Sequence, residues 1–267
     1  MGSFFGKTMA SKRHGLIGFA ALIFLGSTAG LSGCVETKLD QKALDRSLRQ
    51  AAIVAESKAN YLAAASHYRK LWAGEAASDD VLLGLLRNLR YTGASTEALA
   101  LAKRNAQAFE RNIDFQIEYG KVVLSSGDAA GAVKRLGMAL SLNRGNWRIF
   151  ATLGIAYDQV KAYGSARRAY EMALQLSPDN AVVMNNFAIS LALAGNVDEA
   201  IKVTKRAANL ARRNVQIRQN LALFLGIKGQ LRDAEALARM DLDDEAVRNN
   251  LSVYQGFQGK GIARPSK

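Results

Sequence analysis

From residue 45 onward, apolar residues recur three and four positions apart, the spacing of one helix face. "LLGLLRNLRYTGASTEAL" (82–99) shows the arrangement: an apolar-striped run, a short polar turn, and a second run. Two prolines and very few runs of β-branched residues in 267 positions point the same way, to an all-helical chain.

The pattern repeats. Units of 34 residues begin near 45, 79, 113, 147, 181 and 215, with no insertion between them. Position 20 of each unit reads Ala64, Ala98, Ala132, Ala166, Ala200 and Ala234. Alanine there fits the crossing of two packed helices, where a larger side chain would push the pair apart. Position 15 holds Gly93, Gly127, Gly195 and Gly229, residues that accept the left-handed backbone at a helix end. The unit at 147, "WRIFATLGIAYDQVKAYGSARRAYEMALQLSPDN", places Leu153-Gly154, Tyr157, Ala166, Tyr170, Ala173 and Pro178 on the template of the tetratricopeptide repeat, with Phe150 in the usual tryptophan place. The resemblance implies a superhelix of about six helix-turn-helix repeats. The proline survives only at Pro178, giving way to Ala76, Glu110, Arg144, Arg212 and Ala246, and the first two units lack glycine at position 8, as terminal repeats often do.

The domain expectation is therefore repeats over 45–248, a capping helix at 249–258 that covers the apolar end of the stack, and a basic tail at 259–267 without apolar periodicity, expected to be mobile.

Residues 1–44 differ in kind. Lys7, Lys12, Arg13 and His14 lead into "LIGFAALIFLG" (16–26) and then small residues, the layout of a secretory signal. About twenty apolar residues are needed to span a bilayer, so this run is short for a permanent span. The stretch closes on Leu31-Ser32-Gly33-Cys34, which resembles the lipobox of bacterial lipoproteins. That resemblance implies a signal at 1–33, diacylglycerol on the Cys34 thiol, cleavage before it, and a tether at 34–44. Cys34 is the chain's one cysteine, so it closes no internal disulfide. Val35, in place of the aspartate that resembles an inner-membrane retention signal, favours an outer-membrane location, lipid-anchored at the periplasmic face.

The formal charge is +13 at a sequence pI near 10.0. Removing residues 1–33 takes away Lys7, Lys12 and Arg13 and no acid, so the remainder stays strongly basic. Arg69, Lys70, Lys103, Arg104, Lys134, Arg135, Arg167, Arg168, Lys202, Lys205 and Arg206 fall on second helices, the outer wall of such a stack. A solvated face and a face for anionic lipid or acidic polymer both fit. Export, and the lack of an aromatic-flanked basic motif, argue against nucleic acid.

First helices line the concave face of a repeat stack, where partners commonly bind. In the C-terminal half these positions give Asp158, Gln159, Val182, Asn185, Ile189, Leu193, Gln219, Leu223 and Ile227, an apolar strip edged with amides. It suits an amphipathic helix or extended peptide. Ile189, Leu193, Leu223 and Ile227 fit equally as inter-repeat core, or as a surface covered by the last helix.

The residues for catalysis are sparse. After Cys34 one histidine remains, His67, so no Cys/His pair or multi-histidine metal site can be built. Asp79-Asp80 and "DLDDE" (241–245) lie at turns, where acids favour the helix that follows. No nucleophile elbow, Walker loop or dinucleotide glycine motif occurs, and the expectation is a non-enzyme without metal or cofactor.

A closer likeness lies in "NNFAISLALAGNVDEAIKVTKRAANL", "VQIRQNLALFLGIKGQLRDAEALARMDL" and the closing "NNLSVY". With the lipobox and residues 82–99, these resemble TadD, the repeat lipoprotein family of tight-adherence (Flp) pilus systems. The resemblance implies a protein-binding assembly factor for the pilus or its outer-membrane secretin. It carries over one residue, Cys34; the ending departs, turning glycine-rich and basic after Tyr254. The alternative is a repeat adaptor that recruits peptidoglycan hydrolases.

Overall fold

The computed structural model describes residues 41–74 and 76–257, all within a compact unit that begins at Asp40. The signal, the lipobox with Cys34, and the tail at 259–267 lie outside the described residues.

Thirteen helices run among them without a strand. They pair as α1 (Gln41–Ser57) with α2 (Tyr61–Ala73), α3 (Asp79–Tyr91) with α4 (Ser95–Asn105), and α5 (Ile113–Ser125) with α6 (Ala129–Leu142). The pairs α7 (Trp147–Gln159) and α8 (Tyr163–Leu176), α9 (Ala181–Leu193) and α10 (Val197–Leu210), and α11 (Val215–Ile227) and α12 (Leu231–Ala238) follow, and α13 (Asp244–Phe257) closes the stack. None of these helices is long and apolar enough to cross a membrane.

Local chemistry sets each boundary. All six residues at position 15 adopt positive φ: the four glycines between 78° and 90°, but also Ala59 at 53° and Lys161 at 59°. Asn112, Asn146, Asn180 and Asn214 stand at position 34 and cap the next first helix, their Oδ1 accepting from Phe115, Arg148, Val183 and Ile217 backbone N–H at 3.0–3.1 Å. A left-handed stop and an asparagine start thus punctuate the period.

Two boundaries differ from the 34-residue frame. α1 begins at Gln41 rather than 45, because Gln41, Lys42, Ala43 and Leu44 are good helix formers with nothing to stop them. α13 begins at Asp244 rather than 249, because Asp243 caps it, its Oδ1 accepting from Ala246 N–H at 2.8 Å.

Packing follows the alanines. Ala64, Ala98, Ala132, Ala166, Ala200 and Ala234 are all fully buried where paired helices cross. Glycines permit a second close approach: Tyr170 lies on Gly154 and Tyr68 on Gly84, where an added Cβ would meet ring atoms at 2.6 Å. α3 packs on α5, α5 on α7, α7 on α9 and α9 on α11, whereas successive second helices do not pack on one another. First helices therefore form the inside of the curve and second helices the outside.

Candidate functional site

The concave side holds a groove of about 510 Å³ across α3, α5, α7 and α9. Leu124, Ala151, Ile155, Val182 and Val183 line it together with the rings of Trp147 and Tyr91. Three cations line it, Arg90, Lys121 and Arg148, and no carboxylate does.

Those cations are held from behind. Glu118, buried in α5, accepts from Arg90 Nε at 3.0 Å and from Lys121 Nζ at 3.3 Å, one carboxylate against two positive groups. The Arg90 guanidinium is pressed against the Tyr91 ring, 4.5 Å from its centroid. Burial works against its charge, but Glu118 overcomes that and raises its pKa. Arg148 donates to Asp114 at 3.2 Å and reaches the face of Trp147 at 5.6 Å. The result is an apolar, aromatic trough with an excess of fixed positive charge.

Of the residues expected at the partner surface, Gln159 and Val182 line this groove, and Val182 is 59% exposed. Leu193 is likewise open at 50%. Ile189, Leu223 and Ile227 are half-buried and pack against the core shared by α7–α13. Asn185 is buried and accepts from Asn220 Nδ2 at 2.8 Å, tying α9 to α11. Gln219 donates to Asp241 at 2.8 Å.

Asp158 is built into the wall between repeats. Its carboxylate accepts from Tyr170 Oη at 3.1 Å in its own repeat and from Ser190 Oγ at 2.6 Å in the next. Burial raises its pKa above the usual carboxylate value, against the lowering effect of those two bonds. The arrangement recurs at the same positions near the N-terminus: Glu56 accepts from Tyr68 at 3.3 Å and from Asn88, one repeat on, at 2.6 Å. An acid at position 12, a tyrosine at 24 and a donor at position 10 of the next unit make this inter-repeat tie. The regular spacing of acid and donor was the available sequence signal.

The acids at the turns also serve structure. Asp80 pairs with Arg49, Asp79 accepts from Asn112 at 2.8 Å, and Asp241 binds Arg218. On the outer wall Arg69 pairs with Glu97 at 2.8 Å, Arg167 with Glu199 at 2.7 Å, and Arg206 with Asp179 at 2.9 Å. Arg135 is not a free outer cation; it lies half-buried with its guanidinium 4.1 Å from the centre of the Tyr119 ring. No cluster of three metal-binding side chains occurs among the described residues.

Solved structures share this architecture. A thermophilic tetratricopeptide-repeat protein of Thermus thermophilus superposes with a TM-score of 0.63 at 17% identity, over 68% of this chain and 98% of its own. The Cut9–Hcn1 hetero-tetramer of APC/C matches with a TM-score of 0.59 at 12% identity, over 74% of this chain and 40% of the other. The chain has the tetratricopeptide-repeat fold. Mouse BBS4, a BBSome complex member, is 26% identical over 135 residues, which is 51% of this chain but only 26% of the mouse protein. No family model matches the sequence.

Proposed function

We propose that the protein is a non-catalytic, lipid-anchored scaffold that holds a protein partner in its concave groove and assists assembly of a tight-adherence pilus or its secretin at the periplasmic face of the outer membrane. The observation that carries the binding role is the groove itself: an apolar trough flanked by Trp147 and Tyr91, with Arg90 and Arg148 fixed against those rings. Rigid aromatics and arginines are the side chains that contribute most at protein interfaces. The repeat fold supports the same reading, since stacked repeats present an extended concave surface for binding. Anchoring rests on the lipobox resemblance at Leu31-Ser32-Gly33-Cys34, and the pilus role on the likeness of the C-terminal repeats to TadD.

The test is affinity capture from gently solubilised, crosslinked envelopes, comparing the native chain with a Val182→Asp/Gln159→Glu variant. Both side chains are exposed, so the variant should melt with the native chain. Recovery of secretin or pilus proteins, lost in the variant, supports the reading. Recovery of cell-wall hydrolases instead contradicts the pilus assignment, and equal recovery with both chains contradicts the groove.

A further inference from the structure

The outer wall of the middle repeats has a surface that the groove reading leaves unused. On α6, α8 and α10, positions 22, 25, 26 and 30 of the unit fall on one side of the helix, opposite the buried alanine at position 20. Position 22 reads Lys134, Arg168 and Lys202, and position 25 of the fifth unit adds Lys205. None of these four pairs with an acid among the described residues. Glu171, the carboxylate at these positions, is held by Arg167 at 2.9 Å.

Beside the cations lie large apolar side chains in water. Met138 and Leu142 on α6, Met172 and Leu176 on α8, and Leu210 on α10 occupy positions 26 and 30, from 39% exposed at Met172 to 56% at Met138. An isolated exposed leucine is ordinary, but position 30 in three successive repeats and position 26 in two of them make a stripe, position 26 of the fifth unit being Arg206, which pairs with Asp179. Apolar side chains beside unpaired cations are the composition of surfaces that rest in the headgroup layer of an anionic bilayer.

We propose that this outer face docks on an anionic lipid surface, with Lys134, Arg168, Lys202 and Lys205 at the headgroups and the Met/Leu stripe dipping between them. The chain's own C-terminal end is a poor occupant: "QGKGIARPSK" contains three cations and no acid, and like charge would repel it. Docking by this face leaves the concave groove turned away from the bilayer and open. The proposal stands on surface chemistry and does not depend on the pilus reading.

The test uses the chain from residue 34 with Cys34→Ser, which contains the whole compact unit and no lipid. It is floated with vesicles of phosphatidylcholine alone, and with vesicles one third phosphatidylglycerol, at low and high salt. Binding confined to the anionic vesicles and weakened by salt is expected. Lys134→Glu/Arg168→Glu/Lys202→Glu should weaken it by about tenfold or more, and Met138→Ser/Met172→Ser/Leu176→Ser by several-fold, with far-UV spectra unchanged. No binding, equal binding to both vesicles, or equal binding of the charge-reversed variant would overturn the proposal. So would self-association in sedimentation that the serine variant abolishes, since the face would then belong to a second copy.

Discussion

The Tyr254 ring of α13 lies directly on Gly226 of α11, so closely that a Cβ at residue 226 would fall within the ring's van der Waals envelope. This contact seats the closing helix where a seventh repeat would begin. Tyr254 is buried, and burial raises the pKa of its hydroxyl. Gly226→Val should therefore displace α13 and cost about 1–3 kcal/mol. Urea unfolding measures the loss, and limited proteolysis should cut near 243 sooner than in the native chain. An unchanged midpoint and cleavage pattern would show that α13 is held elsewhere.

The six left-handed turns give a prediction of opposite sign at two of them. Ala59 and Lys161 take the positive φ that glycine holds at the other four. Left-handed backbone costs a residue with a Cβ roughly 1 kcal/mol. Glycine removes that strain but gives part of the gain back through its greater freedom in the unfolded chain, so Ala59→Gly and Lys161→Gly should each stabilise by at most about 1 kcal/mol. Gly195→Ala should destabilise by a similar amount. Thermal melts of the three variants decide it.

Asp158 makes stability depend on pH. Its folded pKa lies above the ordinary value of 3.8, chiefly through burial. The folded chain thus binds this proton more tightly than the unfolded chain, a contribution fully present below 3.8 and lost as pH rises through the folded value. Relative to Asp158→Asn, the native chain should lose stability on going from pH 4 to pH 7. Chemical unfolding of both chains across that range should show the difference, and parallel curves would contradict it.

Asp241 behaves in the opposite sense. Arg218 holds its pKa below the ordinary value through a charge-assisted hydrogen bond, with Nε at 2.7 Å. Its contribution is present above the unfolded pKa and is lost as pH falls through the folded one. Asp241→Asn should be less stable than the native chain at neutral pH, and the gap should narrow in acid. Unfolding at pH 7 and pH 3 tests this.

Much of the fold was legible because it depends on residues that do one job in every repeat. Alanine at position 20 marked the helix crossings, and all six are fully buried. Glycine at position 15 marked the turns, yet Ala59 and Lys161 show the same backbone without the residue that signals it, since the register imposes it. The site was less legible. Asp158 looked like a groove residue because position 12 borders the concave face; only the three-dimensional stack brings Ser190 and Tyr170 onto its two oxygens. The cations at Arg90 and Lys121 were missed for a related reason. They sit at different positions in two units, so no period announces them, and it is the curvature of the stack that makes them converge with Arg148.

The concave groove is the proposed partner surface. Its most direct test is site-specific photo-crosslinking in cells that express the full chain, with the photoreactive residue placed at Val182 or Gln159 in the groove and at Gln175 or Asn209 on the outer wall. The groove positions should trap a pilus or secretin protein that the wall positions do not. Crosslinks to such a protein from the wall alone, with the groove positions silent, would contradict it.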